Sequence, residues 1–86
     1  MNERQQAMYD FAMARVQPGK EDELKTFLAE RFKAQDAARA AGEGFNRERM
    51  RETAEKVMAL LTPEGAKAFE AWREERRAAR RRERQG

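Results

Sequence analysis

Six arginines near the C-terminus, Arg73, Arg76, Arg77, Arg80, Arg81 and Arg84, recur at alternating short spacings. On a helix that spacing gathers them into one arc of about 140°. A guanidinium stays charged at any ordinary pH and presents a planar fork of donors, so the chemistry such a face offers is anion recognition. Its partners are the carboxylates of an acidic protein segment, the phosphates of a nucleic acid, or anionic headgroups. The plainer alternative is a solvated helix end, where arginine complements the helix dipole and needs no ligand. Phe69 and Trp72 lie just upstream. The pair packs against a neighbouring helix or, where partly exposed, joins Arg76 and Arg77 in an amphipathic patch, with an arginine stacked on the indole. The candidate partner-binding set is therefore Phe69, Trp72, Arg73, Arg76, Arg77, Arg80, Arg81 and Arg84.

Bond-making chemistry is poorly provided for. The chain of 86 residues has no Cys, His or Ser. Nucleophilic pairs of Ser or Cys with His cannot be assembled, and acid–base work falls to carboxylates and lysines. Structural zinc lacks its usual ligands, and neither a calcium-binding loop nor a phosphate-binding glycine loop occurs. The acidic ladder Glu48, Glu52 and Glu55 is interleaved with Arg51 and Lys56 and reads as a solvated face. The expectation is a protein that is not an enzyme and uses no metal or cofactor.

The elements that must carry the arginine face are helices. Ala, Glu, Arg, Lys, Gln, Leu and Met dominate every segment, and β-branched residues are limited to Val16, Thr26, Thr53, Val57 and Thr62. Breakers divide the chain into four helical pieces, at Pro18 and Gly19, at the Gly42 to Gly44 loop, and at Thr62 and Pro63. Apolar stripes follow at helical spacing: Tyr9, Met13 and Val16; Leu24, Phe27, Leu28 and Phe32; Met50, Ala54, Val57 and Leu61; and then Phe69 and Trp72 alone. Asn46 is placed to cap the third helix, with Phe45 and Met50 forming a hydrophobic staple, and Thr62 with Pro63 to open the fourth. No apolar run is long enough to span a membrane, and the region opposite the arginines offers only Ala78 and Ala79, which predicts no membrane insertion.

Sliding the chain on itself at an offset of 45 residues reveals an internal repeat. Met13 to Pro18 falls on Met58 to Pro63, Leu24 on Phe69, Phe27 on Trp72, Glu30 on Glu75 and Arg31 on Arg76. Each half reads as a helix, an X-Pro break, and a second helix with an apolar pair six and nine residues after the proline. The expected architecture is all-α: one domain over residues 1–86, with a first helix pair (1–41), a loop (42–45), a second pair (46–72) and a basic helical tail (73–86), arranged as an elongated helical hairpin. Only 18 of the apolar residues are larger than alanine, a thin core that predicts a homodimer.

Leu60-Leu61-Thr62-Pro63-Glu64, followed by Ala68 to Arg77, resembles the C-terminal half of the Spy/CpxP family of small helical periplasmic proteins, marked by a twice-occurring Leu-Thr-x-x-Gln motif. Arg47 to Glu52 and Pro18 to Phe32 resemble the same family's intervening helices. The match is degenerate: Gly65 stands where the motif has Gln, and Val16-Gln17-Pro18-Gly19-Lys20 replaces nearly all of the first copy. Thr at N-cap and Gln at N3 form a reciprocal capping box, so its loss predicts looser hinges. The resemblance implies an elongated, curved helical dimer acting as an ATP-independent chaperone or stress-response regulator. It also implies a periplasmic location, which requires a removed signal peptide; a native start at Met1 leads instead to the cytoplasm. The metal-sensing branch of the family is least favoured, since histidine is missing.

Charge sharpens the functional expectation. Residues 1–72 hold 12 basic and 13 acidic side chains, whereas residues 73–86 hold seven and three. The positive balance therefore resides in the tail. The favoured expectation is a non-enzymatic protein-binding module that attracts acidic or partly unfolded clients. The alternative is a small basic cytoplasmic nucleic-acid-binding or phage-type inhibitor protein. It is less favoured because no aromatic residue is interleaved with the arginines beyond Trp72 and no helix-turn-helix pattern appears.

Overall fold

The computed structural model describes residues 1–44 and 46–85 and is all-α. Four helices follow in order: α1 (Glu3–Met13), α2 (Glu21–Ala40), α3 (Arg47–Leu60) and α4 (Pro63–Gln85). Among the described residues there is no strand beyond one isolated antiparallel bridge, Val16 to Leu61. α1 packs on α2 and α3 on α4, and the two pairs join through α1 with α4 and α2 with α3. The molecule measures 40 × 29 × 22 Å. α4 runs unbroken through the expected boundary at residue 72, so the basic tail is the continuation of that helix.

Local chemistry explains the helix ends. Asn2 and Gln5 form a capping box on α1, each side chain bonding the other's backbone N–H at 2.8 and 3.1 Å. Asn46 accepts from the Arg49 N–H at 3.0 Å and Thr62 Oγ1 from the Gly65 N–H at 3.0 Å. α2 stops in a Schellman motif: Gly42 takes a positive φ of 78°, Glu43 N–H bonds to the Ala38 carbonyl, and Gly42 N–H to that of Arg39. The staple expected of Phe45 lies outside the described residues.

The first helix ends at Met13, short of the Val16 that its stripe predicted. The reason is tertiary. Residues 15 to 17 give their backbone groups to the other half: Gln17 N–H bonds to the Leu60 carbonyl and Thr62 N–H to the Arg15 carbonyl, both at 3.0 Å. These two bonds exchange with one another under the 45-residue offset, as do the bridged residues Val16 and Leu61. The repeat thus corresponds to an approximate two-fold relation between the halves, centred on the two proline breaks.

The hinges are tied in a way that the capping argument does not anticipate. Gln17 Nε2 crosses to the carbonyls of Ala59 at 3.2 Å and Leu61 at 2.8 Å, satisfying acceptors at the end of α3. Gly65 is required by contact: a Cβ there would lie 2.7 Å from Arg15 Cβ and 3.0 Å from the Arg15 carbonyl oxygen. The glycine that spoils the family motif lets the start of α4 approach the Val16 segment.

The core comprises Ala12, Leu24, Leu28, Phe32, Ala54, Val57, Leu60, Leu61 and Phe69. Equivalent positions carry much of it, Ala12 with Val57 and Leu24 with Phe69, all four fully buried. Two polar residues join them. Thr53 Oγ1 donates to the Arg49 carbonyl at 2.8 Å, and Gln5 Nε2 donates to Asp36 Oδ1 at 3.1 Å, so both are satisfied.

Candidate functional site: an aromatic stack leading into an arginine face

α4 divides at Trp72. Before it, the helix turns Phe69 into the core, where the ring is fully buried. This corrects the expectation that Phe69 serves a partner: it contacts Phe11 and Trp72, with ring centroids 6.1 and 5.7 Å apart, and has no surface to offer. Trp72 is half-buried and lies stacked on Phe11 of α1, with centroids 5.0 Å apart and planes 16° from parallel.

A cation covers each ring of this stack. The Arg15 guanidinium carbon sits 3.6 Å from the Phe11 centroid, held there by a bond from Nη1 to the Phe11 carbonyl at 3.0 Å. The Arg76 guanidinium carbon sits 4.7 Å from the Trp72 centroid. Both arginines are four residues from their ring, the reach of one helical turn. Sequence reasoning anticipated an arginine on the indole. It missed Phe11 and Arg15 as partners, because no local spacing signals that α1 and α4 meet.

Beyond Trp72 the helix presents its charges. Arg73 is half-buried, and burial pushes its pKa below the usual guanidinium value; Arg77 adds to that effect, while Glu74 and Glu70 oppose it. Arg76 is half-buried through its stack, Arg77 is exposed and pairs with Glu74, and Arg80, Arg81 and Arg84 are exposed. Arg82, outside the arc of six, is exposed as well. Ala78 and Ala79 are half-buried. α4 has 23 residues against 14 in α3, so its last turns have no hairpin partner of matching length.

The structure therefore brings Trp72 and Arg76 together with Phe11 of α1 and Arg15 just beyond its end, and sets Arg80, Arg81 and Arg84 further along α4. Among the described residues no group of His, Cys, Asp or Glu is arranged to hold a metal ion, and no helix is long and apolar enough to cross a membrane. A search of family models, curated proteins and solved structures finds no match to the chain.

Proposed function

We propose that the protein is a non-enzymatic protein-binding module of the Spy-like chaperone or stress-regulator kind, whose working surface is the arginine face of α4. The observation that supports this reading is the continuity of that face with the half-buried stack of Phe11 and Trp72. Long-range attraction to Arg76, Arg77, Arg80, Arg81 and Arg84 brings an acidic segment in. Short-range contact with the Trp72 edge and the partly buried methionines beside the core, Met8, Met13 and Met58, then holds it. Met1 is the single large apolar side chain that is exposed among the described residues, so apolar contact comes from half-buried rims. A homodimer belongs to the same proposal, on the ground that two of the nine buried apolar residues are alanines, leaving a thin core for one chain.

The test is suppression of thermal aggregation of an acidic model client, at low and at high salt. Protection falls steeply with salt and is lost in a variant with Arg77→Glu and Arg80→Glu. Equal protection at both salt concentrations removes the arginine face from the mechanism. Titration with duplex and single-stranded oligonucleotides runs beside it: tight, salt-dependent binding lost in the same variant transfers the face to nucleic acid. Sedimentation velocity reads the dimer.

A further inference from the structure

α3 and α4 form a hairpin with arms of unequal length. α3 has 14 residues and ends at Leu60, whereas α4 starts at Pro63 and has 23. Packed helices joined by so short a break run antiparallel. Residues 63–76 therefore match α3 in length, and residues 77–85 overhang its start. The overhang carries Arg77, Arg81 and Arg84, all exposed. At 100° per residue these three fall in one stripe about 60° wide and about 10 Å long.

The first turns of α3 carry the complement. Glu48, Glu52 and Glu55 repeat the same i, i+4, i+7 spacing, and no other three carboxylates in the chain do so. All three are exposed, on the side of α3 opposite the buried Val57. Their charges are scarcely used within the chain. Among the described residues Glu55 meets Arg51 at 4.0 Å and Arg77 meets Glu74, while Glu48, Glu52, Arg81 and Arg84 form no ion pair.

The overhang points away from α3 of its own chain, so the two stripes cannot meet within one molecule. A second copy removes that obstacle. A two-fold axis perpendicular to the helices reverses α4, so that the overhang of one chain runs parallel to α3 of the other and begins level with its start. In a parallel alignment equal spacings meet in order: Arg77 with Glu48, Arg81 with Glu52, and Arg84 with Glu55. We propose that the overhang of α4 docks on the outer face of α3 in a second copy of the chain, and the reverse, in a symmetric dimer closed by these three pairs taken twice. Exposed ion pairs are individually weak and screened by salt, so the dimer dissociates as ionic strength rises. Arg77, Arg81 and Arg84 belong to the face assigned above to an acidic client, so dimer and client compete for them. That competition rests on the client reading, whereas the dimer does not.

Sedimentation velocity of the full chain at low salt tests the pairing by charge exchange. Glu52→Arg and Arg81→Glu, both surface changes, each raise the dimer dissociation constant about tenfold or more, because like charges then face each other at the central pair on both sides. An equimolar mixture of the two variants recovers the dimer to within about threefold of the parent, since every facing pair in the mixed dimer is again opposite in sign. Circular dichroism of each variant matches the parent. The proposal is overturned by a monomer at every concentration, by a dimer that either variant leaves intact, or by a mixture that stays monomeric. The client reading is tested apart from it, because Glu52→Arg keeps every arginine of α4 and protects an acidic client at least as well as the parent. Weaker protection by that variant overturns the competition. Failure of parent and variant alike to protect refutes the client reading, and the recovery in the mixture still supports the dimer.

Discussion

α2 and α4 occupy equivalent places in the two halves, yet they use the same backbone positions for opposite ends. Both begin by burying a large apolar residue, Leu24 in one and Phe69 in the other, and both follow it with a half-buried aromatic ring under an arginine. From there they part. α2 continues with Leu28 and Phe32, both buried, where α4 has Arg73 and Arg77. One helix carries the core to its C-terminal half, and the other gives that half to charge. The difference teaches that an approximate symmetry of the chain need not be a symmetry of burden: stability is concentrated in α2, and α4 is free to vary its surface.

That contrast is open to direct attack. The largest effect belongs to the core side: Leu28→Ala lowers unfolding free energy by about 2–5 kcal/mol, read from the urea midpoint, because it empties a fully buried site. Truncating the Arg77 side chain of α4, the equivalent of the buried Phe32, to Ala stays within about 0.5 kcal/mol in the same titration. Equal losses from the two would abolish the distinction. Next comes the close approach at the hinge. Gly65→Ala costs about 1–3 kcal/mol, since its Cβ meets Arg15 in a packed site. A milder loss of about 1 kcal/mol is expected from Gln17→Ala, which leaves the Ala59 and Leu61 carbonyls without their donor.

The smallest predicted shift carries the opposite sign. Arg73→Leu restores the residue type of its mate Leu28 and removes a partly desolvated cation that lies beside Arg77. Stability rises by about 0.5–1 kcal/mol, an amount discounted for the solvent that still reaches this half-buried side chain. A fall in stability there would mean that the Arg73 guanidinium is held by Glu70 and Glu74 more strongly than burial opposes it.

Much of the scaffold is legible along the chain, because helix formation and termination are local events. Asn46, Thr62 with Pro63, and Gly42 act at the ends their types announce, since a cap needs only its neighbours within one turn. The stripes likewise identify Leu24, Leu28, Phe32, Ala54, Val57, Leu61 and Phe69 as apolar positions, all of which the core buries. Thr53 and Gln5 escape such a reading, because burial of a polar side chain depends on a partner that spacing does not disclose. The aromatic stack escapes for the same reason: Phe11 and Trp72 belong to helices at opposite ends of the chain.

By itself, then, the sequence determined the helical class, the breaks, the offset of 45 residues and the concentration of arginine after Trp72. Each is a property of residue type at short range or of simple counting. Only the tertiary structure decided that the segment from Arg15 to Gln17 leaves the helix to pair with Leu60 to Thr62, that Gly65 is needed for contact, and that Trp72 stacks on Phe11. Those outcomes are settled by groups more than 40 residues apart, such as Gln17 and the Ala59 carbonyl, whose meeting depends on how four helices pack and not on any one helix's preference.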